Sequence, residues 1–191
     1  MRDRSAAVIS SAKFLLLSIW LSAFASISSA KDYQTQLDAG TDPKNISTVF
    51  GNLSLLVSFA MGAAWVLTGP WLRDAHDRIS AAHPEQIRLK RGWAVWGWIV
   101  PVVSFWYPRQ IILDMLRGNL VDEHDEKIPV QQWWLAWLAF QLLSNVQTAL
   151  TLTSTVHINP IRPTFEIAGA CLLTGSYMVW IRIVKAIDAT S

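Results

Sequence analysis

Residues 91–117 read RGWAVWGWIVPVVSFWYPRQIILDMLR, and no other part of the chain carries as much structural information. The stretch is apolar enough to enter a bilayer, yet it holds two prolines seven residues apart (Pro101 and Pro108), four tryptophans, Arg109 and Asp114. A plain hydrophobic anchor needs none of these. Proline inside a helix removes an amide donor and crowds the preceding turn, and in hydrocarbon the freed carbonyls must find other partners. The pattern predicts an integral membrane protein whose middle span is kinked, or breaks near Ser104–Tyr107 and restarts at Pro108, a residue suited to a first helical turn. Beyond Pro108, Gln110, Asp114 and Arg117 share a helical face, whereas Arg109 and Asp114 lie roughly 140° apart. Arg109 is therefore expected to snorkel outward or meet a partner on another span.

Outward from this segment, the 191 residues are 52% hydrophobic and 16% charged, with a mean hydropathy of +0.29. The apolar residues cluster in runs at 14–30, 49–68, 93–116, 133–155 and 165–187. Each run supplies roughly 17–25 residues, enough to cross about 30 Å of hydrocarbon at 1.5 Å per residue. A soluble bundle would need polar outer faces at helical period, which these runs mostly lack. The expected architecture is one all-α domain over 1–191, a helical integral membrane protein of about five transmembrane helices with the third proline-kinked or broken. The first run also looks signal-like, because Arg2, Arg4 and Lys13 precede it and small residues close it at Ala25–Ala30. Retention as a first span is the favoured expectation; removal would leave four spans.

Basic residues set orientation. With five spans, the N-terminal tail, 70–92 and 156–164 share a side that includes Arg73, Arg78, Arg88, Lys90 and Arg91, while Lys31, Lys44, Arg117, Lys127, Arg182 and Lys185 fall opposite. The N-terminus is expected in the cytoplasm and the C-terminus outside. Gly69-Pro70 is expected to stop the second span, with a surface helix following as far as Pro84. Most of the 11 tryptophans are expected at headgroup level, where the indole edge can donate while the ring stays apolar. The net charge of +2 suits membrane orientation. It does not suit nucleic acid, since no basic stripe interleaves with exposed aromatics.

Gly92-Trp93, Trp98-Ile99-Val100-Pro101, Phe105-Trp106-Tyr107-Pro108 and Gln110 resemble the central signature of an uncharacterised family of bacterial multi-pass proteins, domain of unknown function 4328. The proline pair at seven residues and a tryptophan-led following span, here Trp133–Trp137, match that pattern. Ser104 stands where the family usually has asparagine. The resemblance covers roughly residues 50–187 and implies a bacterial cytoplasmic-membrane protein. It implies no established activity, catalytic residue or ligand.

The fourth run carries a polar stripe, Gln141, Asn145, Thr148, Thr151 and Thr155, at helical spacing. Such groups should turn inward in lipid, either as helix–helix hydrogen bonding or as a hydrophilic pocket, although hydroxyls can also bond their own backbone. The candidate polar cavity or packing set is thus Ser104, Arg109, Asp114, Gln141, Asn145 and Thr148. Glu166 is expected to pair with Arg162, and the single Cys171 to be buried packing. His76, His83, His124 and His157 form no ligand or catalytic pattern, and the acidic stretch Asp122–Glu126 lacks calcium-loop spacing. No catalytic residue, metal or cofactor is expected. The favoured function is a structural or interaction component whose partners are the lipid bilayer and a homo-oligomer or another membrane protein. A transport or small-ligand-binding subunit is the alternative, and a membrane enzyme stands third.

Overall fold

Four of the apolar runs become long helices, and the fifth does not. The computed structural model describes residues 2–100, 102–118, 128–153 and 160–189. Helix α1 spans Arg2–Asp38, α2 Val49–Ala82, α3 Trp93–Trp96, α4 Tyr107–Gly118, α5 Val130–Thr153 and α6 Pro163–Asp188. Among the described residues, α1, α2 and α6 are long and apolar enough to cross a membrane. The chain is an all-α, helical integral membrane protein. Helix α5, at 24 residues, is about 36 Å long.

The 93–116 run, expected as the third span, is not one helix. It divides into α3, a 3-10 turn at Val103–Phe105, and α4, whose 12 residues reach only about 18 Å. The pieces fold back on each other. Trp93 meets Tyr107 edge-on at 4.9 Å, and Gly97 lies against Tyr107 and Ile111. At the reversal Val102 adopts φ 70°, a left-handed conformation that β-branched residues rarely take. Pro101 lies outside the described residues, whereas Pro108 sits in the first turn of α4. The described part of the run is therefore a hairpin and not one kinked helix.

Close approach at the hairpin depends on Gly97. A Cβ there would sit 2.7 Å from the Trp93 carbonyl oxygen and 3.1 Å from the Tyr107 Cβ, and neither backbone can yield without moving the hairpin. Gly97→Ala is expected to cost about 1–3 kcal/mol through overpacking, read as reduced thermal stability in detergent.

The expected stop at Gly69-Pro70 is also absent. Helix α2 continues through Pro70 to Ala82, because Trp71, Leu72, Ala75 and Ile79 bury one face beyond the proline. That packing outweighs the loss of one backbone hydrogen bond.

Helix α1 packs against both α2 and α6, and α6 packs against α5. The long helices form an arc with α2 and α5 on its flanks. Across the arc, Trp20 Nε1 donates to Thr174 Oγ1 at 3.0 Å, and the Phe50 amide donates to Ser29 Oγ at 3.1 Å. At one end Arg4 pairs with Asp74, and Trp71 Nε1 donates to Asp188 Oδ1 at 3.2 Å. Both termini and the last turns of α2 thus share an end of the bundle. The five-span expectation had put the termini on opposite sides. The α3–α4 hairpin belongs to the same end, since Asp114 of α4 accepts the Arg88 amide at 3.3 Å.

Four of the 11 tryptophans belong to the buried core. Trp71, Trp133, Trp134 and Trp180 are buried, and Trp133 stacks on Trp180 at 5.4 Å. Trp71 meets Trp180 edge-on at 5.8 Å. Trp98 reaches into this group from beyond α3, edge-on to Trp133 at 6.1 Å and to Trp134 at 6.2 Å. Such pairs add about 0.5–1.5 kcal/mol each beyond burial. They dock the hairpin onto α5 and α6.

Candidate functional site: a cleft between α2 and α5

Because α3–α4 covers only one end of the gap between α2 and α5, the arc leaves a cleft of about 550 Å³. Met61, Trp65 and Thr68 of α2 form one wall, and Trp134, Leu138, Gln141 and Asn145 of α5 form the other. Leu15 of α1 and Ser176, Tyr177 and Trp180 of α6 lie behind, and Trp98, Ser104, Phe105 and Pro108 close the hairpin end. The walls are mainly aromatic and aliphatic. Gly62, which also lines the cleft, would present a Cβ to open space.

The cleft brings together Ser104, Pro108, Gln141 and Asn145. Asn145 Nδ2 donates to the Gln141 carbonyl at 2.7 Å, so part of its capacity is spent within its own helix. Trp134 Nε1 donates to the Phe105 carbonyl at 3.0 Å and fixes the hairpin tip to α5. Trp98 Nε1 is buried with no hydrogen-bond partner among the described residues.

Three sequence candidates stand elsewhere. Asp114 is buried and lies 3.7 Å from the Arg88 Nε. Arg109 keeps a buried Nε without a hydrogen-bond partner among the described residues. Thr148 donates to the Ser144 carbonyl at 3.0 Å and is exposed, so the polar stripe of α5 does not turn wholly inward. The stripe's outer end, Thr155, lies outside the described residues, as do Asp122–Glu126, His124 and His157. Glu166 accepts from Gln147 Nε2 at 2.8 Å, and no Arg162–Glu166 ion pair occurs among the described residues. The helix-to-helix bond takes the carboxylate instead. Cys171 is exposed rather than buried.

The sequence reading missed two packing features of the bundle. Ser18, Ser22, Ser26 and Ser29 are buried on α1 at spacings of four, four and three, a small-residue face of the kind that lets helices approach closely. That periodicity was readable. The role of Trp98 was not, because its neighbours come from α5 and α6. Among the described residues no three His, Cys, Asp or Glu side chains gather as a metal site. What the cleft offers is apolar contact with a few fixed hydrogen-bonding groups.

A family model described as a domain of unknown function (DUF4328) matches residues 42–189. No curated protein and no solved structure matches the chain.

Proposed function

The chain belongs to the DUF4328 family of uncharacterised bacterial multi-pass membrane proteins, and from that premise we propose that it binds a lipid-soluble amphiphile in the cleft between α2 and α5. One observation carries this reading. A space of about 550 Å³ falls within the range of small-molecule sites, which are mostly apolar with a few convergent polar groups. Sequence alone favours a structural or interaction component. Closed packing around Ser104, Gln141 and Asn145 would have supported that role, whereas these residues border an open cleft. An apolar body fits against Met61, Trp65 and Leu138, and a polar group can reach Ser104 or Gln141.

The same reading gives the membrane topology. Helices α1, α2, α5 and α6 cross, while α3–α4 enters from one side and returns to it. Helix α1 is retained, since it sits between α2 and α6 and contributes buried Leu15, Ile19 and Ala23. The end that holds both termini then carries Arg4, Arg73, Arg88, Lys90, Arg91 and Arg182 among its basic residues. Among the described residues, the opposite end has Lys31, Lys44 and Arg162. This asymmetry favours a cytoplasmic location for both termini. It is sharper than the one five spans produce, because Arg117, Arg182 and Lys185 join the basic end while Arg162 leaves it.

The test uses the full chain in mild detergent and a brominated long-chain alcohol, whose bromine quenches nearby indoles. Saturable quenching is expected, since Trp65, Trp98 and Trp134 line the cleft. Gly62→Phe should fill the space without a clash and weaken binding about tenfold or more, equivalent to about 1.4 kcal/mol. Quenching that rises linearly with probe and is the same in Gly62→Phe would leave the cleft without a ligand.

A further inference from the structure

A second concavity, independent of the cleft, lies where α2 ends. It measures about 520 Å³ and is bordered by His76, Asp77 and Ser80 of α2 and by the connection 87–91. Its carboxylate is already engaged, because Asp77 Oδ2 lies 2.9 Å from Arg91 Nη2. The neighbouring Asp114 is likewise taken by Arg88. Those two pairs hold the connection against α2 and α4. Lys90 has no carboxylate partner among the described residues. On the floor, His76 Nε2 is 2.9 Å from the Leu89 carbonyl, and its Nδ1 has no hydrogen-bond partner among the described residues. The hollow is therefore pre-shaped and carries uncompensated positive charge.

We propose that this hollow binds the phosphate diester headgroup of an anionic lipid. A monoanionic phosphate suits the Lys90 ammonium, with the exposed Arg88 and Arg91 guanidinium edges and the Ser80 hydroxyl as further donors. Free phosphate shares that chemistry, but the lipid is favoured by the other lining residues. Ala81, Ile87 and Leu89 give the hollow an apolar side, and Ile87 and Leu89 continue into the bundle core. A glycerol ester needs such a surface and a free ion does not. The position also fits, because this is the basic end of the bundle, at the level where headgroups lie under the topology above. A lipid seated here would brace the connection that feeds the α3–α4 hairpin.

Native mass spectrometry of the delipidated full chain, titrated with phosphatidylglycerol or phosphatidylcholine, tests the assignment. Preferential retention of phosphatidylglycerol is expected in the wild type, falling about fivefold in Lys90→Gln, in keeping with the usual contribution of one surface charge. Lys44→Gln, at the opposite end and also a loss of one charge, should leave retention unchanged. Equal retention of both lipids, or equal losses in the two variants, would overturn the proposal. So would stoichiometric binding of inorganic phosphate by the lipid-free protein at micromolar concentration, which would assign the hollow to a soluble anion. None of these outcomes depends on whether the α2–α5 cleft is filled.

Discussion

Trp71→Ala is expected to lower the stability of the bundle by about 3–5 kcal/mol, the usual range for truncating a buried large aromatic. Trp71 is fully buried in the middle of α2, one residue after a proline that would otherwise weaken the helix. Its ring packs edge-on against Trp180, and its N–H donates to Asp188 near the end of α6. The truncation would therefore open a cavity, break an aromatic pair and remove the donor that ties α2 to the last turn of α6. Equilibrium unfolding in mixed detergent micelles measures the loss. Trp71→Phe should recover most of the packing but not the hydrogen bond, placing it between wild type and alanine. Trp65→Ala is the contrast, because Trp65 is 43% exposed at the cleft and should cost far less. Equal losses for Trp71→Ala and Trp65→Ala would mean that the tryptophan group is not the core of this end.

The second large effect is all-or-none. A reporter active only in the cytoplasm should be active when fused at either terminus and inactive when inserted in 39–48. The reason is parity: in the proposed topology an even number of crossings returns the chain to its starting side, and the α3–α4 hairpin adds none. Activity at the N-terminus with none at the C-terminus would restore an odd number of spans. A single substituted residue could not produce that difference.

Helix existence was legible because it depends on local composition. The runs 14–30, 49–68, 133–155 and 165–187 were apolar enough to be recognised; α1, α2 and α6 contain the first, second and fourth, and α5 covers the third as far as Thr153. Their ends were less legible. Helix α2 passes Pro70 because residues on other helices cover Trp71, Leu72 and Ile79, and a proline signal read along the chain omits that energy. The site was legible in part. Ser104, Gln141 and Asn145 share the cleft, but Asp114 is drawn away by Arg88, 26 residues earlier. The pairing requires a reversed chain, and helical spacing carries no information about reversal.

The segment 91–117 separates the two kinds of information. Its apolar and aromatic content by itself determined that the chain enters a bilayer, and its residues carried the family resemblance. Whether the segment forms one helix or a hairpin was decided only by tertiary structure. A helix here would satisfy backbone groups locally, whereas the hairpin satisfies part of them through turns and packs the half-buried Trp98 against Trp133, Trp134 and Trp180. Three of those rings lie on helices distant in sequence, so the energy favouring the hairpin exists only once α5 and α6 are in place. That same choice leaves the gap between α2 and α5 open and creates the cleft.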